Sequence, residues 1–475
     1  VKGVTPQAIT QSLTGTQGPE GYLASSPEAS IALSFDDVAN KIYATSIYVN
    51  GTDVIEDWQQ IRTKYNGRES DIVDVSVTYD PVSEHFVVFY CNDADYSIYA
   101  TTLTVVDGKM SPNGSSFELE TGGIDTWVAS LSTAYDTVSG SIVLLYSLGS
   151  DIDSNYQFSI IGTTASVSDD GGTVSFGVHA TYVKSGLDAY PAGMSVTATE
   201  SGMGVVYIDQ HEIKGHGNEL GHTLRTFIVT LDGYGYITEG EVSVLTDTDT
   251  VNISQCHIDT VNDLFVITGV DDQTHTGYMW VCSPDFDTRT PECVVKDFPT
   301  SLPVDYASVV YDSTTGYINL VTVGQAHAES QDPNIGTAYV ATLSNEGEVT
   351  VKHQHSYASV ACDVVLQTQT VAGPGYLLVL SNAKYSDDHT ASVYLYGQTN
   401  MAGDKFLGVS GGLYYTGQTA RVNIVGSTVD QYRSLIPGHH YYVQYDGAIA
   451  EESAIGGHLF PSAGIALTST KLVRM

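Results

Sequence analysis

Basic residues are scarce in this sequence. Eighteen Lys and Arg stand against 55 Asp and Glu, and the 475 residues carry a formal net charge of −37. A protein that binds the nucleic-acid backbone needs clusters of Lys and Arg, as does one that docks on anionic membranes. No apolar run approaches the roughly 18 residues that a membrane-spanning helix requires. We therefore expect no nucleic-acid partner and no membrane insertion.

Cysteines and strong helix formers are also few. An odd number of cysteines without CxxC spacing argues against a disulfide framework, so we expect buried or free thiols. The five are Cys91, Cys256, Cys282, Cys293 and Cys362. Long runs of Ala, Leu, Glu, Lys and Arg are missing, and residues 53–65 (DVIEDWQQIRTKY) form the one helix candidate. The first residues lack the basic-then-apolar pattern of a signal peptide, which predicts synthesis in the cytoplasm.

The sequence is rich in residues that favour strands and turns, and it repeats one phrase. Residues 77–90, 133–147 and 309–321 each contain an apolar run, Tyr-Asp, a small polar turn and a second apolar run. In the first copy, Asp80-Pro81 is typical of a turn, because Pro presets φ and the Asp carboxylate caps the turn. The following run, Phe86–Tyr90, predicts a strand buried on both faces. Each copy is therefore interpreted as a β-hairpin, and its Asp as structural rather than catalytic.

Seven segments fit this hairpin pattern with decreasing clarity. They are residues 31–49, 75–104, 131–146, 194–208, 256–270, 307–323 and 364–380. In the first of them, Phe35-Asp36 takes the place of Tyr79-Asp80. A regular spacing of three- or four-stranded units predicts a β-propeller, because such a sheet buries both faces only between neighbours. About seven blades are favoured over six or eight, with each copy as the inner hairpin of a blade. A β-sandwich array and a β-solenoid remain alternatives.

The two ends of the chain differ from the repeats. Residues 1–27 are polar and contain scattered Gly and Pro, which predicts an extended N-terminal arm for attachment. Residues 28–403 hold the predicted propeller. Residues 404–475 contain strictly alternating stretches, a Pro437-Gly438 turn and an Asp446-Gly447 hairpin signal. This tail predicts a small C-terminal β domain, sandwich-like or barrel-like, so the whole chain is expected to be all-β.

The tail also matches a known pattern. The matching residues are Phe406-Leu407-Gly408-Val409, Gly417 to Val422, Gly426, Leu435-Ile436-Pro437-Gly438, Tyr441-Tyr442-Val443, Asp446-Gly447 and Ala463 to Leu467. They resemble the small β domain that ends many bacteriophage tail-fibre and other virion surface proteins. The upstream repeats resemble phage fibre repeats more loosely, with residues 162–177 as the clearest match. The resemblance implies a protein at the surface of a virion and brings no catalytic residues with it.

Motifs of common enzymes are missing: the sequence has no P-loop, HExxH or GxSxG, and no GxGxxG after a strand. We expect no cofactor. His211, His216 and His222, with nearby Glu212 and Glu219, are weak candidates for a metal site, although their spacing fits no common zinc pattern. An ordinary exposed or interface loop is the alternative. His353 and His355 share one side of a predicted strand, where packing or an interface explains them better than a ligand role.

Two further features bear on glycans. Residues 168–176 (SDDGGTVSF) are similar to the Asp-box of sialidase-like propellers, a structural turn, but Val174 and Ser175 replace its Thr and Trp. The three tryptophans, Trp58, Trp127 and Trp280, could stack on sugar rings, although in a β-rich protein most Trp side chains lie in the core or between blades. Glycosidases use two carboxylates about 5–10 Å apart, and the sequence cannot choose such a pair among 55 acids.

These observations predict a non-enzymatic structural or adhesive component of a bacteriophage virion, such as a tail fibre, spike or head decoration. Its expected partners are other virion proteins, copies of itself in a trimer by analogy with fibres, and host surface glycans. The expected location is the particle surface. The alternative hypothesis is a polysaccharide-degrading, glycosidase-like propeller enzyme.

Overall fold

The computed structural model contains forty strands, and no helix occurs in the residues that it describes. Those residues are the strands named below and the following adjoining positions. They are 26, 29, 81–84, 96–97, 107–108, 137–140, 168–173, 177, 180, 199, 201–202, 232, 235–236, 240–242, 245–246, 263, 273–275, 286–289, 297–300, 303–305, 344, 347–348, 435–439, 451 and 467–471.

Most strands belong to seven antiparallel sheets of four or five strands, which we number as blades 1 to 7. A short first strand, β1 (Gln7–Ile9), precedes them. Blade 1 holds β2 (Tyr22–Ser25), β3 (Ser30–Asp36), β4 (Lys41–Asn50) and β5 (Asp53–Ile61). Blade 2 holds β6 (Ile72–Asp80), β7 (His85–Asn92), β8 (Ile98–Val106), β9 (Lys109–Pro112) and β10 (Phe117–Leu119). Blade 3 holds β11 (Thr126–Asp136), β12 (Ser141–Ile152), β13 (Asn155–Val167), β14 (Val174–Phe176) and β15 (Thr181–Leu187).

The next four blades repeat this arrangement. Blade 4 holds β16 (Pro191–Ala198), β17 (Met203–Glu212), β18 (Leu220–Leu231), β19 (Ile237–Glu239) and β20 (Ser243–Val244). Blade 5 holds β21 (Ile253–Val261), β22 (Leu264–Asp271), β23 (Thr276–Asp285) and β24 (Thr290–Lys296). Blade 6 holds β25 (Tyr306–Asp312), β26 (Tyr317–Gly324), β27 (Ile335–Leu343) and β28 (Val349–Ala358). Blade 7 holds β29 (Val364–Val371), β30 (Tyr376–Asn382) and β31 (Ala391–Gly397).

The blades form a closed ring. Their first strands contact one another in the order β2, β6, β11, β16, β21, β25 and β29, and β29 contacts β2 again. The N-terminal strand β1 pairs antiparallel with β31 and supplies the fourth strand of blade 7. Both ends of the repeat region thus meet in one sheet, which closes the circle with backbone hydrogen bonds. The predicted all-β class and β-propeller architecture are confirmed.

Apolar side chains fill the space between successive blades. On β7, Phe86, Val88 and Tyr90 pack against blade 1, while Val87 and Phe89 pack against blade 3. All five are at most 1% exposed. Successive residues of a strand point to opposite faces, so the continuous apolar run serves two interfaces at once. The prediction of a strand buried on both faces is confirmed.

The Tyr-Asp of the repeated phrase ends the inner strand and caps its turn. Asp80 accepts hydrogen bonds from the Val82 amide and the Ser83 hydroxyl, both at 2.9 Å. Asp136 accepts them from the amides of Val138 and Ser139, at 3.2 and 3.1 Å. Each carboxylate satisfies donors that the turn would otherwise leave unpaired. The structural interpretation of these Asp residues is confirmed for the two turns.

Two other carboxylates tie neighbouring inner strands together. Asp74 accepts the amide of Val75 at 2.7 Å and the amide of Leu131, on the inner strand of the next blade, at 2.5 Å. Asp259 accepts the amide of Thr260 and the amide of Tyr311 in the next blade, both at 2.7 Å. The same pair of contacts therefore joins blade 2 to blade 3 and blade 5 to blade 6.

The turn between the third strand and the outermost strand of a blade docks on the preceding blade. In the Asp-box-like turn of blade 3, the carbonyl of Gly171 accepts a hydrogen bond from Thr102 of blade 2 at 2.6 Å. Gly171 has φ of +65°, and a Cβ there would overlap the ring of His85. In blade 2, the Gly108 carbonyl likewise accepts a hydrogen bond from Ser46 of blade 1 at 2.8 Å. The Asp-box-like segment is thus a structural turn that holds two blades together.

Three predictions about the first sixty residues need correction. Residues 53–61 form strand β5, because pairing with β4 along nine residues outweighs a helix propensity of at most ~0.7 kcal/mol per residue; residues 62–65 lie outside the described residues. Two strands, β1 and β2, fall inside the predicted arm 1–27. Since β2 is the inner strand of blade 1, residues 31–49 form its second and third strands, not its inner hairpin.

The cysteines also depart from prediction. Cys282 and Cys293 are directly opposite on β23 and β24 and form a disulfide. Cys91 and Cys256 are buried and belong to no disulfide, as expected, and Cys362 lies outside the described residues. Burial raises the pKa of Cys256. The sequence could not suggest the disulfide, because the eleven-residue separation of the two cysteines becomes a cross-strand pair only through the hairpin register.

The tail contains small sheets of its own. A five-stranded sheet contains β34 (Thr428–Val429), β40 (Leu472–Val473), β39 (Ser462–Ala466), β35 (His440–Val443) and β36 (Ile449–Ala450), in that order. Two two-stranded sheets contain β32 (Val409–Ser410) with β33 (Val422–Asn423), and β37 (Ala454–Ile455) with β38 (His458–Leu459). The Pro437-Gly438 turn is present, with Gly438 at φ +84°, directly before β35. The predicted boundary between the propeller and the tail, near residue 404, stays a prediction.

Candidate functional site

The inner strands run in the same direction, so they all begin at one end of the ring. The hydrogen bonds between neighbouring strands show this direction. Asp74 bonds to Leu131 and Ser76 to Thr133, two residues further along both strands. We call the end where the inner strands begin the N-terminal rim. Side chains described near it include those of Trp127, Phe158, Asp209, His222, Arg225, His275 and Asp305.

Strand pairing is irregular near this rim. The register of the inner strand shifts between Ile72 and Asp74, Val128 and Ser130, Ala192 and Ser195, Ile253 and Gln255, and Val365 and Gln367. These are the positions of β-bulges, which bend a strand and redirect its side chains. In five blades the inner strand is therefore irregular at this end. At the other end, the inner strands run into hairpin turns.

His275 and Asp305 form a hydrogen-bonded pair on this rim. The imidazole Nδ1 of His275 lies 2.7 Å from Asp305 Oδ1. The histidine side chain is 43% exposed and the aspartate side chain is 15% exposed. With its Nδ1–H donating to the carboxylate, a neutral imidazole presents Nε2 as a proton acceptor. A histidine oriented by a carboxylate in this way is suited to transferring protons.

The backbone holds this pair in place from two blades. His275 ends the turn between β22 and β23, where Asp271 caps the amide of Gln273 at 2.9 Å. The His275 carbonyl accepts the Val304 amide at 2.7 Å, and the Asp305 amide donates to the Val323 carbonyl at 2.8 Å. His275 has φ of +53°, a conformation that favours glycine.

Blade 4 contributes an ion pair. Arg225 Nε lies 2.7 Å from Asp209 Oδ2, and the aspartate side chain is only 6% exposed. Asp209 pairs with Pro191, the first residue of its inner strand. The neighbouring Tyr207 is fully buried, and burial raises the pKa of its hydroxyl, with a further increase from the charge of Asp209. The positive charge of Arg225 is thus matched by a carboxylate within the protein.

Blade 3 contributes two half-buried aromatic rings. Trp127, Gly149, Phe158 and Leu187 are successive paired residues across the sheet and therefore share one face. The Trp127 ring lies over Gly149, where a Cβ would come within 2.3 Å of the indole. It meets Phe158 edge-on, with ring centroids 6.1 Å apart. Trp280, in contrast, is 4% exposed and stacks on Tyr278 in the core.

Two of the histidines singled out by sequence lie at the rim end of blade 4, and two lie in blade 6. His211 and His222 lie on neighbouring strands of blade 4, paired with Gly221 and Gln210, and His216 lies outside the described residues. His353 and His355 lie on β28, opposite Val340 and Ala338. In the described part of the chain, no group of three or more His, Cys, Asp or Glu side chains could hold a metal ion. A metal site at 211–222 stays a prediction.

Sequence reasoning missed the His275–Asp305 pair. Thirty residues separate its members, and His275 belongs to a hairpin turn that no motif distinguishes. The Asp271 cap in the segment DDQTH marks a turn but says nothing about the partner of the histidine. Only the closure of blade 5 against blade 6 brings the two side chains together.

No helix in the described residues has the length and apolarity needed to cross a membrane.

No protein-family model matches the chain, and no curated protein matches its sequence. Among solved structures, the polysaccharide lyase Uly1 is similar over 84% of this chain and 100% of its own, with 10% identity and a TM-score of 0.50. An α-L-arabinofuranosidase, arb93a from Fusarium graminearum, is similar over 71% of this chain and 97% of its own, with 12% identity and a TM-score of 0.45. The phage phi92 endosialidase is similar over 95% of this chain and 74% of its own, with 10% identity and a TM-score of 0.44.

At such low identities, structural similarity is evidence of a shared fold only. The comparison that supports the fold is the one with the lyase, at a TM-score of 0.50. The comparisons also correct one prediction. The protein was expected to be non-enzymatic, yet the solved structure that carries the comparison is of an enzyme, a polysaccharide lyase, so that expectation is wrong. The tail resemblance and the missing motifs had suggested no catalysis, but a propeller builds its site from separate loops and leaves no local motif. The phage tail-fibre resemblance of the tail stays a prediction, since no family model matches.

Proposed function

We propose that this protein is a propeller enzyme that degrades polysaccharide chains, with the N-terminal rim as its active site. The observation that carries the proposal is the His275–Asp305 pair, which is oriented, exposed on the histidine side and fixed by backbone hydrogen bonds. The fold shared with a polysaccharide lyase supports it. The half-buried aromatic rings of Trp127 and Phe158 on the same rim add a surface of the kind that sugars contact.

The pair has a definite role in cleaving a glycosidic bond by hydrolysis. His275 Nε2 accepts a proton from the attacking water, whose oxygen bonds to the anomeric carbon as the glycosidic C–O bond breaks. The departing sugar oxygen takes up a proton, so one water is consumed per bond. Asp305 keeps the ring in the orientation and tautomer that this transfer requires, and it stabilises the imidazolium that forms.

A substrate screen with matched variants tests the proposal. The native chain and His275→Ala are incubated with a panel of purified polysaccharides, and new reducing ends are measured together with the ultraviolet absorbance of unsaturated sugars. Native protein is expected to release fragments from at least one polymer. His275→Ala is expected to lose about 100-fold or more of that rate, because general acid–base catalysis contributes about 10²–10⁴-fold.

The tail supplies a control for the loss of a surface histidine. His439 Nδ1 lies 2.9 Å from Glu451 Oε2, with both side chains nearly half exposed, so the pair has similar geometry away from the rim. His439→Ala should leave the rate unchanged. No cleavage of any polymer by the native chain, or equal rates for native protein and His275→Ala, contradicts the proposal.

The predicted partners and location accompany this proposal without direct support. Attachment to a virion, a trimeric state and contact with host surface glycans stay predictions. Quantitative mass spectrometry of purified particles, together with antibody labelling, would measure the copy number and position of the chain if it is a virion component.

A further inference from the structure

We infer that the N-terminal rim contains a subsite in which an uncharged sugar ring stacks on Trp127. The inference rests on the proposed function, since it names the substrate class of the same site. It depends on three observations: the packing of the Trp127 ring on Gly149 and Phe158, the ion pair between Arg225 and Asp209, and the net charge of the chain.

The Trp127 ring is fixed in position while part of it remains exposed. Gly149 lies beneath it, and any side chain at that position would displace the indole, because a Cβ would approach within 2.3 Å. Phe158 supports the ring edge-on. A core tryptophan is covered on all sides, as Trp280 is at 4% exposure, whereas Trp127 and Phe158 are both only half buried. A rigid aromatic surface at the edge of a blade is suited to the apolar face of a pyranose.

The charge near this ring argues against an acidic sugar. A carboxylate on the substrate needs a Lys or Arg that is not already neutralised. Among the residues described in blades 3 and 4, the two cations both lie beside carboxylates: Arg225 beside Asp209 at 2.7 Å, and Lys184 beside Glu239 at 4.0 Å. The chain as a whole carries −37, so a polyanionic glycan is repelled as it approaches. An uncharged glycan incurs no such repulsion.

This conclusion also selects the chemistry. Cleavage by β-elimination removes a proton next to a uronate carboxylate, and that carboxylate must be neutralised for the proton to leave. Hydrolysis of an uncharged sugar has no such requirement. The rim therefore fits hydrolysis, although the similar solved structure Uly1 is a polysaccharide lyase.

Binding measurements test the subsite separately from catalysis. Isothermal titration calorimetry is carried out on the full chain carrying His275→Ala, which is expected to bind without cleaving. The probes are hexamers of β-1,4-linked glucose, xylose and mannose, and, for comparison, hexamers of galacturonate and α-2,8-linked sialic acid. At least one uncharged hexamer is expected to bind, with an affinity that does not change between 20 and 300 mM salt. The acidic hexamers are expected to bind at least tenfold more weakly at 20 mM salt.

Two further substitutions locate the binding at Trp127. Trp127→Ala removes the ring and Gly149→Ala displaces it, so each is expected to weaken binding about tenfold or more. Thermal unfolding of both variants establishes that they are folded. Unchanged affinity in folded Trp127→Ala overturns the subsite, as does preferential binding of an acidic hexamer or no binding of any uncharged one. Cleavage of an acidic polymer by the native chain would overturn this inference and leave the proposed function intact, whereas no cleavage of any polymer would reject the proposed function.

Discussion

The two ends of the propeller ring are built from the same strands but differ in regularity. At the end where the inner strands stop, Asp80 and Asp136 cap equivalent turns with nearly the same hydrogen bonds. At the N-terminal rim, blade 3 contributes a supported tryptophan, blade 4 an ion pair, and blades 5 and 6 a histidine held by an aspartate. Repetition therefore marks the scaffold of this protein, and the candidate chemistry lies where repetition stops. Substitutions at the rim should change activity, and those elsewhere should change stability.

The largest effect is expected at Asp305. Replacement by Asn keeps the size of the side chain but removes the charge that orients His275 and stabilises its protonated form. We expect kcat/KM to fall by about 100-fold or more, with little change in the free energy of unfolding. Steady-state kinetics on the polymer found in the screen, together with urea unfolding, measure both quantities. Equal kcat/KM for Asp305→Asn and the native chain would contradict the placement of the active site at the rim.

The next largest effect concerns stability and involves the tie between blades 2 and 3. Asp74→Ala leaves the buried amides of Val75 and Leu131 without their carboxylate acceptor. Each unsatisfied buried donor costs about 1–3 kcal/mol, so the free energy of unfolding should fall by about 2–6 kcal/mol. Urea unfolding gives this value, and kcat/KM at a temperature where the variant is folded should equal that of the native chain. A folded but inactive variant would contradict a purely structural role for Asp74, which lies near the N-terminal rim.

A pH-dependent effect is expected at the other tie. Burial raises the pKa of Asp259 from 3.8 to about 6, despite three hydrogen bonds that oppose the increase. The folded state therefore holds the proton more tightly, and the resulting stabilisation is complete below about pH 3.8 and lost as pH rises through 6. The loss is at most about 3 kcal/mol.

Comparison with Asp259→Asn isolates this effect. Burial also lowers the pKa of the nearby His257 to about 4, which changes stability in the opposite direction between pH 6.5 and 4. The difference between native chain and variant removes that contribution. Urea unfolding at pH 4, 5, 6 and 7 should show the native chain losing stability relative to Asp259→Asn as pH rises. Parallel curves would mean that this carboxylate is as well solvated in the folded state as in the unfolded chain.

The smallest effect is expected at a repeated turn. Asp136→Ala removes the acceptor for the amides of Val138 and Ser139, which keep partial access to water. We expect a loss of about 1 kcal/mol in the free energy of unfolding and no change in kcat/KM. Calorimetric unfolding and the polysaccharide assay measure the two quantities. A change in kcat/KM caused by this substitution would contradict the expectation that only substitutions at the rim change activity.

Sequence reasoning predicted the repeated scaffold but not the contacts at the rim. The apolar run Phe86–Tyr90 and the Asp caps are local features, so the hairpins and the propeller could be predicted. Blade 1 was misplaced by one strand because Phe35-Asp36 imitates the phrase at the end of β3, the second strand. A pattern that identifies a strand end cannot tell which strand of the blade it ends. Residues 53–61 carry weak helix preference and became a strand because the edge of β4 offered nine partners.

The chain alone decided its class: alternating apolar residues, turn signals at regular spacing and few helix formers leave only stacked β-sheets as a way to bury the core. Its excess of acids also decided which partners it repels, since net charge is a sum over residues and does not depend on the fold. The tertiary structure decided which residues meet. His275 reaches Asp305, Cys282 reaches Cys293, and β1 reaches β31 only when the sheets pair and the ring closes. Such contacts depend on distances between segments far apart in the chain, and periodicity carries no information about those distances.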